Sequence, residues 1–176
     1  MLGVRESRRI MGDYVLDKGD LIAGRVFEDA VSMGGYHIDI HRPAGTWVDS
    51  HNVRPYTIPL RSLIARDVDG LLMAGKCLSA THEAVASTRV IPICQGQGQA
   101  VGTVAALAVK AGVSVRQVSI AKLQETLTAQ GAEIGRTVGG PNLQAIDEVG
   151  QLPFDEPPTT GDKDPVTAGE AFWVRK

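Results

Sequence analysis

Large aromatic side chains are scarce in this sequence: phenylalanine, tyrosine and tryptophan together make up 5% of its 176 residues. The core must therefore be built mainly from Val, Ile, Leu and Ala, and the 20 glycines favour close packing of backbones. Only two cysteines are present, Cys77 and Cys94, and neither belongs to a Cys-x-x-Cys pair. This excludes a disulfide framework, and we expect both thiols to be reduced.

Neither a strong net charge nor a long apolar run is present. The net charge is -2 and charged residues make up 22%, which disfavours nucleic acid or an anionic membrane as a partner. No apolar run approaches the roughly 18 to 20 residues that a membrane span requires. The positively charged N-terminus followed by an apolar segment that is typical of a secretory signal is also not found. We expect a soluble, cytoplasmic chain.

The composition changes near Gly135, because five of the nine prolines follow it. A Pro-rich, acidic segment buries too little apolar area to offset its ordering entropy. We therefore expect one domain over residues 1–134 and a mostly irregular tail over residues 135–176. The end of that tail, residues 171–174, is a weaker candidate for a short docked strand or aromatic anchor.

Three segments have strand patterns. Residues 36–41 alternate polar and apolar side chains, which places His37, Asp39 and His41 on one face. Residues 55–60 form a second candidate. Residues 70–74 are continuously apolar and turn at Gly75, which is typical of a strand covered on both faces.

Two helices are predicted in the second half of the body. Residues 99–110 are rich in small side chains and end at Gly112, which indicates a closely packed helix. A second helix begins near Ser114, which has capping-box spacing to Gln117, and ends at Gly131. Strands and helices do not alternate strictly, so the predicted class is α/β or mixed α+β.

Residues 71–111 have the layout of an anion-binding or ring-binding site: a strand, a polar loop and a Gly-rich turn that opens a helix. Gly75 permits close approach of a ligand to the backbone. Gly96 and Gly98 permit the amides around Gln97 to point outward at a helix N-terminus, where negative charge is favoured. The alternative is that the glycines serve only packing, since Gly98 and Gly102 share one helix face.

Several ordered blocks resemble a known family. LLMAGKCLSATHEA (71–84), STRVIP (87–92) and GQAVG (98–102) look like the C-terminal signature of the FAD-dependent oxidoreductase family, and residues 2–14 resemble the segment that precedes it there. The similarity runs from residue 2 to residue 134. It implies the C-terminal part of a Rossmann-like FAD/NAD(P)-binding fold, with FAD as cofactor.

The resemblance also implies cofactor contacts. The Gly75 region resembles the second flavin motif, and the helix near Gln99 resembles the one that faces the flavin pyrimidine. The implied contacts are Gly75, Lys76, Cys77, Gly98 and Gln99. The family more often has Arg where this chain has Lys76, so a point charge replaces a guanidinium fork.

One element of the family is absent from this sequence: the strand, Gly-x-Gly-x-x-Gly turn and helix that hold the FAD pyrophosphate. We therefore expect the chain to be a C-terminal fragment or a subunit. An N-terminal FAD-binding half is the implied partner, without which FAD would bind weakly.

The candidate catalytic residues are His82 and Arg89, which lie in the block that the resemblance places next to the flavin, and Arg5. An imidazole titrates near neutral pH and so suits proton transfer at His82, while Arg5 or Arg9 would bind a substrate carboxylate. The alternatives are a histidine that caps or packs the loop, and a solvated salt-bridged surface formed by Arg5, Glu6, Arg8 and Arg9.

The predicted function is hydride transfer between a small organic substrate and FAD. The alternative is a non-catalytic interaction module that keeps the fold without the cofactor. A hydrolase or lyase ranks last, since no Gly-x-Ser-x-Gly turn is present. His37, Asp39 and His41 have side chains that bind metals, but no further ligand is fixed by spacing, so no metal site is predicted.

Overall fold

The computed structural model describes residues 5–41 and 48–135. These residues form four α-helices and two antiparallel sheets of two strands each, an α+β arrangement. In chain order the elements are α1 (Lys18–Ile22), β1 (Ala30–Gly34), β2 (Ile38–His41), β3 (Val48–His51), β4 (Tyr56–Pro59), α2 (His82–Thr88), α3 (Ile91–Ala111) and α4 (Ile120–Ala129).

The two sheets are nested in the sequence. β1 pairs with β4, so that Ser32 lies opposite Ile58, and the β2–β3 pair is inserted between them, with Ile38 opposite His51. The predicted strands over 36–41 and 55–60 are confirmed with shorter bounds. β3 was not predicted, and His37 lies just outside β2.

The predicted strand over residues 70–74 is wrong. Leu72 forms one isolated bridge with Ile64, and the Met73 amide donates to the Leu63 carbonyl at 2.8 Å. The neighbouring segment Leu60–Ser62 is a 3₁₀ turn, so it offers no extended edge for a ladder. The apolar run is therefore held as an irregular segment, and Gly75, with φ +78°, begins the 3₁₀ turn Gly75–Cys77.

The helix predicted to start at Gln99 starts at Ile91, eight residues earlier. Pro92 lies in its first turn, where a missing amide hydrogen costs nothing, and Gly112 ends it in the left-handed conformation as predicted. Gly96 lies inside the helix and close to β1, since a Cβ at this position would lie 2.5 Å from the Ser32 hydroxyl oxygen. Gly96, which indicated a turn in the sequence, therefore lies where α3 contacts β1.

The predicted amphipathic helix is confirmed with a later start. Ser114 forms its capping box with Gln117 around a 3₁₀ turn, whereas α4 itself is capped by Ser119, which accepts from the Lys122 amide at 3.3 Å. Gly131, with φ +78°, follows the end of α4. Gln124 ties α4 to β1, because its Nε2 donates to the Ala30 carbonyl at 3.0 Å.

The core is mainly aliphatic, as the composition predicted, and it joins both sheets to α2, α3 and α4. Its fully buried members include Leu16, Leu21, Ile38, Ile58, Leu63, Leu78, Leu123 and Leu127. Nearly all of the predicted tail, from residue 136 onward, and its proposed anchor at 171–174 lie outside the described residues. Among the helices of the described ranges, none is long and apolar enough to cross a bilayer.

Candidate active site

One small cleft brings together side chains that are far apart in the sequence. It has a volume of about 190 Å³ and lies between β2, α2 and the segment over residues 5–10, called the opening segment below. All three candidate catalytic residues, Arg5, His82 and Arg89, line it. The other lining residues are Glu6, Asp39, Ile40, His41 and Ala86. The structure places the three candidates together, while their catalytic roles stay predictions.

His82 is the first residue of α2, which is capped by the Thr81 hydroxyl. Its Nδ1 lies 2.5 Å from Oε2 of Glu6, and the other carboxylate oxygen of Glu6 pairs with the Arg9 guanidinium. Burial lowers the pKa of His82, Glu83 raises it, and the positive charges of Arg9 and Arg89 lower it further. A lowered pKa keeps the imidazole neutral near neutral pH, so it is able to accept a proton.

Arg89 holds two walls of the cleft together. It is the C-cap residue of α2. One terminal nitrogen of its guanidinium donates to the Arg5 carbonyl at 3.2 Å, and the other donates to the Asp39 carbonyl at 2.8 Å. It also lies 3.8 Å from the Asp39 carboxylate, and its side chain is 13% exposed. Burial lowers the pKa of Arg89, whereas Asp39 raises it. These contacts show a cleft-forming role for Arg89.

Arg9 is only 1% exposed, so it cannot contact a substrate in the cleft. Its burial also shows that the charged residues of the opening segment are not all solvated. Arg5 lies on the cleft wall and is exposed. Of the two arginines considered for a substrate carboxylate, Arg5 is therefore the one whose location permits the contact.

The Gly75–Cys77 turn packs against the first two turns of α3. The Gly75 amide donates to Oε1 of Gln97 at 2.6 Å, and Nε2 of the buried Gln97 donates to the Thr88 carbonyl at 3.3 Å. The Ile10 amide donates to the Cys77 carbonyl at 3.0 Å, so the opening segment runs alongside this turn. The role of the Gln97 side chain in joining this turn to the end of α2 was not predicted, because only the tertiary contact reveals it.

Gly98 and Gln99 do not join this turn. Both lie inside α3, and the Gln99 side chain donates to Oε1 of Gln130 at 3.1 Å, toward the end of α4. The prediction of outward-pointing amides around Gln97 is therefore wrong, because those residues continue the helix. The true N-terminus of α3 follows Val90, which provides no side-chain cap. A cofactor role for Gly98 and Gln99 depends only on the family resemblance.

Both cysteines are free thiols near this turn. The Cys77 thiol donates to the Ala74 carbonyl at 3.3 Å. Burial raises the pKa of Cys94, Lys76 lowers it, and Cys77 raises it. The resulting protonated thiol at Cys94 is a poor nucleophile.

The three residues considered as metal ligands do not form a set. Nε2 of His41 lies 3.1 Å from the Asp39 carboxylate, whereas His37 precedes β2 and packs on the Tyr36 ring with centroids 4.1 Å apart. Within residues 5–41 and 48–135, no group of three or more His, Cys, Asp or Glu side chains is arranged to hold a metal ion.

A larger groove of about 700 Å³ lies elsewhere, near Phe27 and Ile120. Its three arginines are each paired with an aspartate: Arg25 with Asp20 at 2.9 Å, Arg61 with Asp29 at 3.0 Å, and Arg116 with Asp13 at 3.0 Å. Each pair neutralises the charge of one arginine in the groove. The smaller cleft is the better candidate for proton transfer, because it contains the imidazole of His82.

Comparison with known proteins identifies the family. The profile of the FAD dependent oxidoreductase family matches residues 1–127, which include the cleft, the Gly75–Cys77 turn and all of α3. The chain belongs to the FAD dependent oxidoreductase family. The resemblance found in the sequence is thereby confirmed. Searches of the curated proteins and of the solved structures returned no match.

Two features near Gly75 are compatible with a ligand that approaches the backbone. A Cβ added at Gly75 would meet only Cys94 Sγ, at 3.8 Å, and the Gly75–Cys77 turn lies beside the uncapped start of a 21-residue helix. The Gly75 amide itself is occupied by Gln97. Neither described range contains the parallel strand, Gly-rich turn and helix that hold a dinucleotide pyrophosphate.

Proposed function

We propose that this chain forms the flavin-facing part of an FAD-dependent oxidoreductase that transfers hydride between a small organic substrate and the flavin. The main support is that His82, Arg5 and Arg89 converge on one cleft in a chain whose family uses FAD. The Gly75–Cys77 turn borders the same opening segment, through the hydrogen bond between Ile10 and Cys77.

In this proposal each side chain has a separate task. When bound, FAD supplies the site that accepts or gives the hydride, at its N5 atom. His82 takes the proton that leaves a substrate O–H or N–H as the adjacent carbon loses hydride, or returns that proton in the opposite direction. Arg5 attracts an anionic substrate group, and Arg89 keeps the cleft walls in place. By resemblance, Gly75, Lys76 and Cys77 contact the ribityl and pyrophosphate part of the cofactor, and Gly98 and Gln99 contact the pyrimidine edge of the flavin.

We further propose that a Rossmann-like FAD-binding half packs against the outer face of α3. This face carries Ile91, which is 74% exposed, and Val109, which is 82% exposed. Between them lie Gly98 and Gly102, and no atom lies within 4 Å of a Cβ added at either. An exposed apolar helix face with small residues at its centre is typical of a surface that another domain covers.

The same exposed face supports the alternative, a non-catalytic interaction module. In that case the chain binds a partner through α3 and holds no cofactor. The two functions differ in one observable property, the retention of flavin by the assembled protein.

A visible absorption spectrum separates them. The full chain is mixed with FAD, alone and together with the proposed N-terminal FAD-binding half, and unbound FAD is removed. We expect flavin bands only in the mixture that contains this half. Gly102→Leu is the control: no atom crowds this position, so the chain stays folded, but the bulge on α3 abolishes flavin retention. A folded assembly without flavin would favour the interaction module.

A further inference from the structure

Glu6 lies between two hydrogen-bond donors in the wall of the cleft. One of its carboxylate oxygens pairs with the Arg9 guanidinium, and the other lies 2.5 Å from Nδ1 of His82. The side chain of Arg9 is 2% exposed, while those of Glu6 and His82 are 30% and 29% exposed. The contact joins residues that are 76 positions apart in the sequence.

This arrangement determines which nitrogen of the imidazole carries the hydrogen. An ionised carboxylate only accepts hydrogen bonds, and a guanidinium only donates them. Because Arg9 keeps Glu6 ionised, Nδ1 of His82 must be the donor. In the neutral ring the other nitrogen, Nε2, then has a lone pair. No residue within 5–41 and 48–135 makes a hydrogen bond to Nε2.

We propose that Glu6 is a positioning residue, which fixes His82 with its hydrogen on Nδ1 and leaves Nε2 free to exchange a proton with the substrate. The proton moves between the substrate O–H or N–H and the Nε2 lone pair, and Nδ1 keeps its own hydrogen throughout. The task of Nε2 rests on the proposed oxidoreductase function, whereas the position of the ring hydrogen does not.

Charged and titratable groups from three parts of the chain lie near His82. They comprise Arg5, Glu6 and Arg9 from the opening segment, Glu83 and Arg89 from α2, and Asp39 and His41 from β2. The Glu6 carboxylate contacts both Arg9 and Nδ1 of His82, so it sets which ring nitrogen carries the hydrogen. Burial, with Arg9 and Arg89, lowers the pKa of His82 against the raising effect of Glu83, so the neutral ring is the form whose tautomer matters.

The isosteric variant Glu6→Gln tests the proposal. The buried Arg9 only donates, so it binds the amide oxygen of the new side chain and turns the NH₂ group toward His82. Nδ1 must then accept, and the ring hydrogen moves to Nε2. Long-range ¹H–¹⁵N spectra of the full chain, recorded above the pKa of His82, report the tautomer directly. The His82 signals, one set among four histidines, are assigned by their loss in His82→Gln.

We expect a protonated Nδ1 in the native chain and a protonated Nε2 in Glu6→Gln. The matched control is Glu83→Gln, which removes a nearby negative charge that makes no hydrogen bond to the ring. It should lower the pKa of His82 and leave the tautomer unchanged. A native chain with the hydrogen on Nε2, or an identical tautomer in Glu6→Gln, overturns the proposal. An Nδ1–H tautomer in an assembly that retains no flavin would instead overturn the oxidoreductase function alone.

Discussion

Replacing His82 with glutamine is expected to slow substrate-dependent flavin reduction by roughly 100- to 10,000-fold, the range that a positioned acid or base contributes. Glutamine has similar bulk, and its amide is able to donate to Glu6 as Nδ1 does. The cleft therefore keeps its shape and loses only the group that titrates. The rate is measured by anaerobic stopped-flow reduction of the assembled protein.

The pH profile adds a second test of His82. In the native protein the rate of substrate oxidation should fall as the pH drops below the pKa of His82, because protonation removes the Nε2 lone pair. This fall should be absent in His82→Gln. His51→Gln is the control: burial and Lys18 also lower the pKa of His51, but it lies in β3 and does not line the cleft. Equal rates in the native protein and His82→Gln would reduce His82 to a packing residue.

Gly96→Ala and Gly98→Ala are expected to change the free energy of unfolding in opposite directions. At Gly96 a Cβ would lie 2.5 Å from the buried Ser32 hydroxyl oxygen, so either this hydroxyl must rotate within the core or α3 must shift from β1. Overpacking of this kind costs about 1 to 3 kcal/mol. At Gly98 no atom lies within 4 Å, and alanine in a helix interior gains about 0.5 to 1 kcal/mol over glycine.

Urea unfolding of the two variants and the native chain measures both effects. The pair also tests where α3 begins. If the helix started at Gln99, Gly98 would be its N-cap, a position at which alanine is disfavoured relative to glycine. A destabilised Gly98→Ala, together with a neutral Gly96→Ala, would contradict the helix bounds described above.

Local pattern was enough to predict part of the fold. The alternation around Ile38 and the helical spacing of Leu123 and Leu127 each gave the correct element, because one face of each is buried. The start of α3 could not be predicted, since the close contact between Gly96 and Ser32 exists only in the folded chain. The run over residues 70–74 was misassigned because its neighbour forms a turn and not a strand.

The residues of the candidate site could be predicted from the sequence, but the contacts between them could not. The family resemblance pointed to Arg5, His82 and Arg89, which do share a cleft. It could not reveal Glu6 as the partner of His82, because that contact spans 76 positions. Nor could composition distinguish the buried Arg9 from the exposed Arg5 and Arg8, since all three lie within five residues of one another.

The location of the flavin tests the account most directly. Isotope-labelled chain, assembled with the unlabelled N-terminal FAD-binding half proposed above, is titrated with FAD while the backbone amide resonances are followed. We expect the largest shifts in the Gly75–Cys77 turn, at the start of α3 around Ile93 and Cys94, and at His82. Shifts confined to the larger groove around Phe27, Arg61 and Arg116, or no shifts in a folded assembly, would contradict the proposed flavin site.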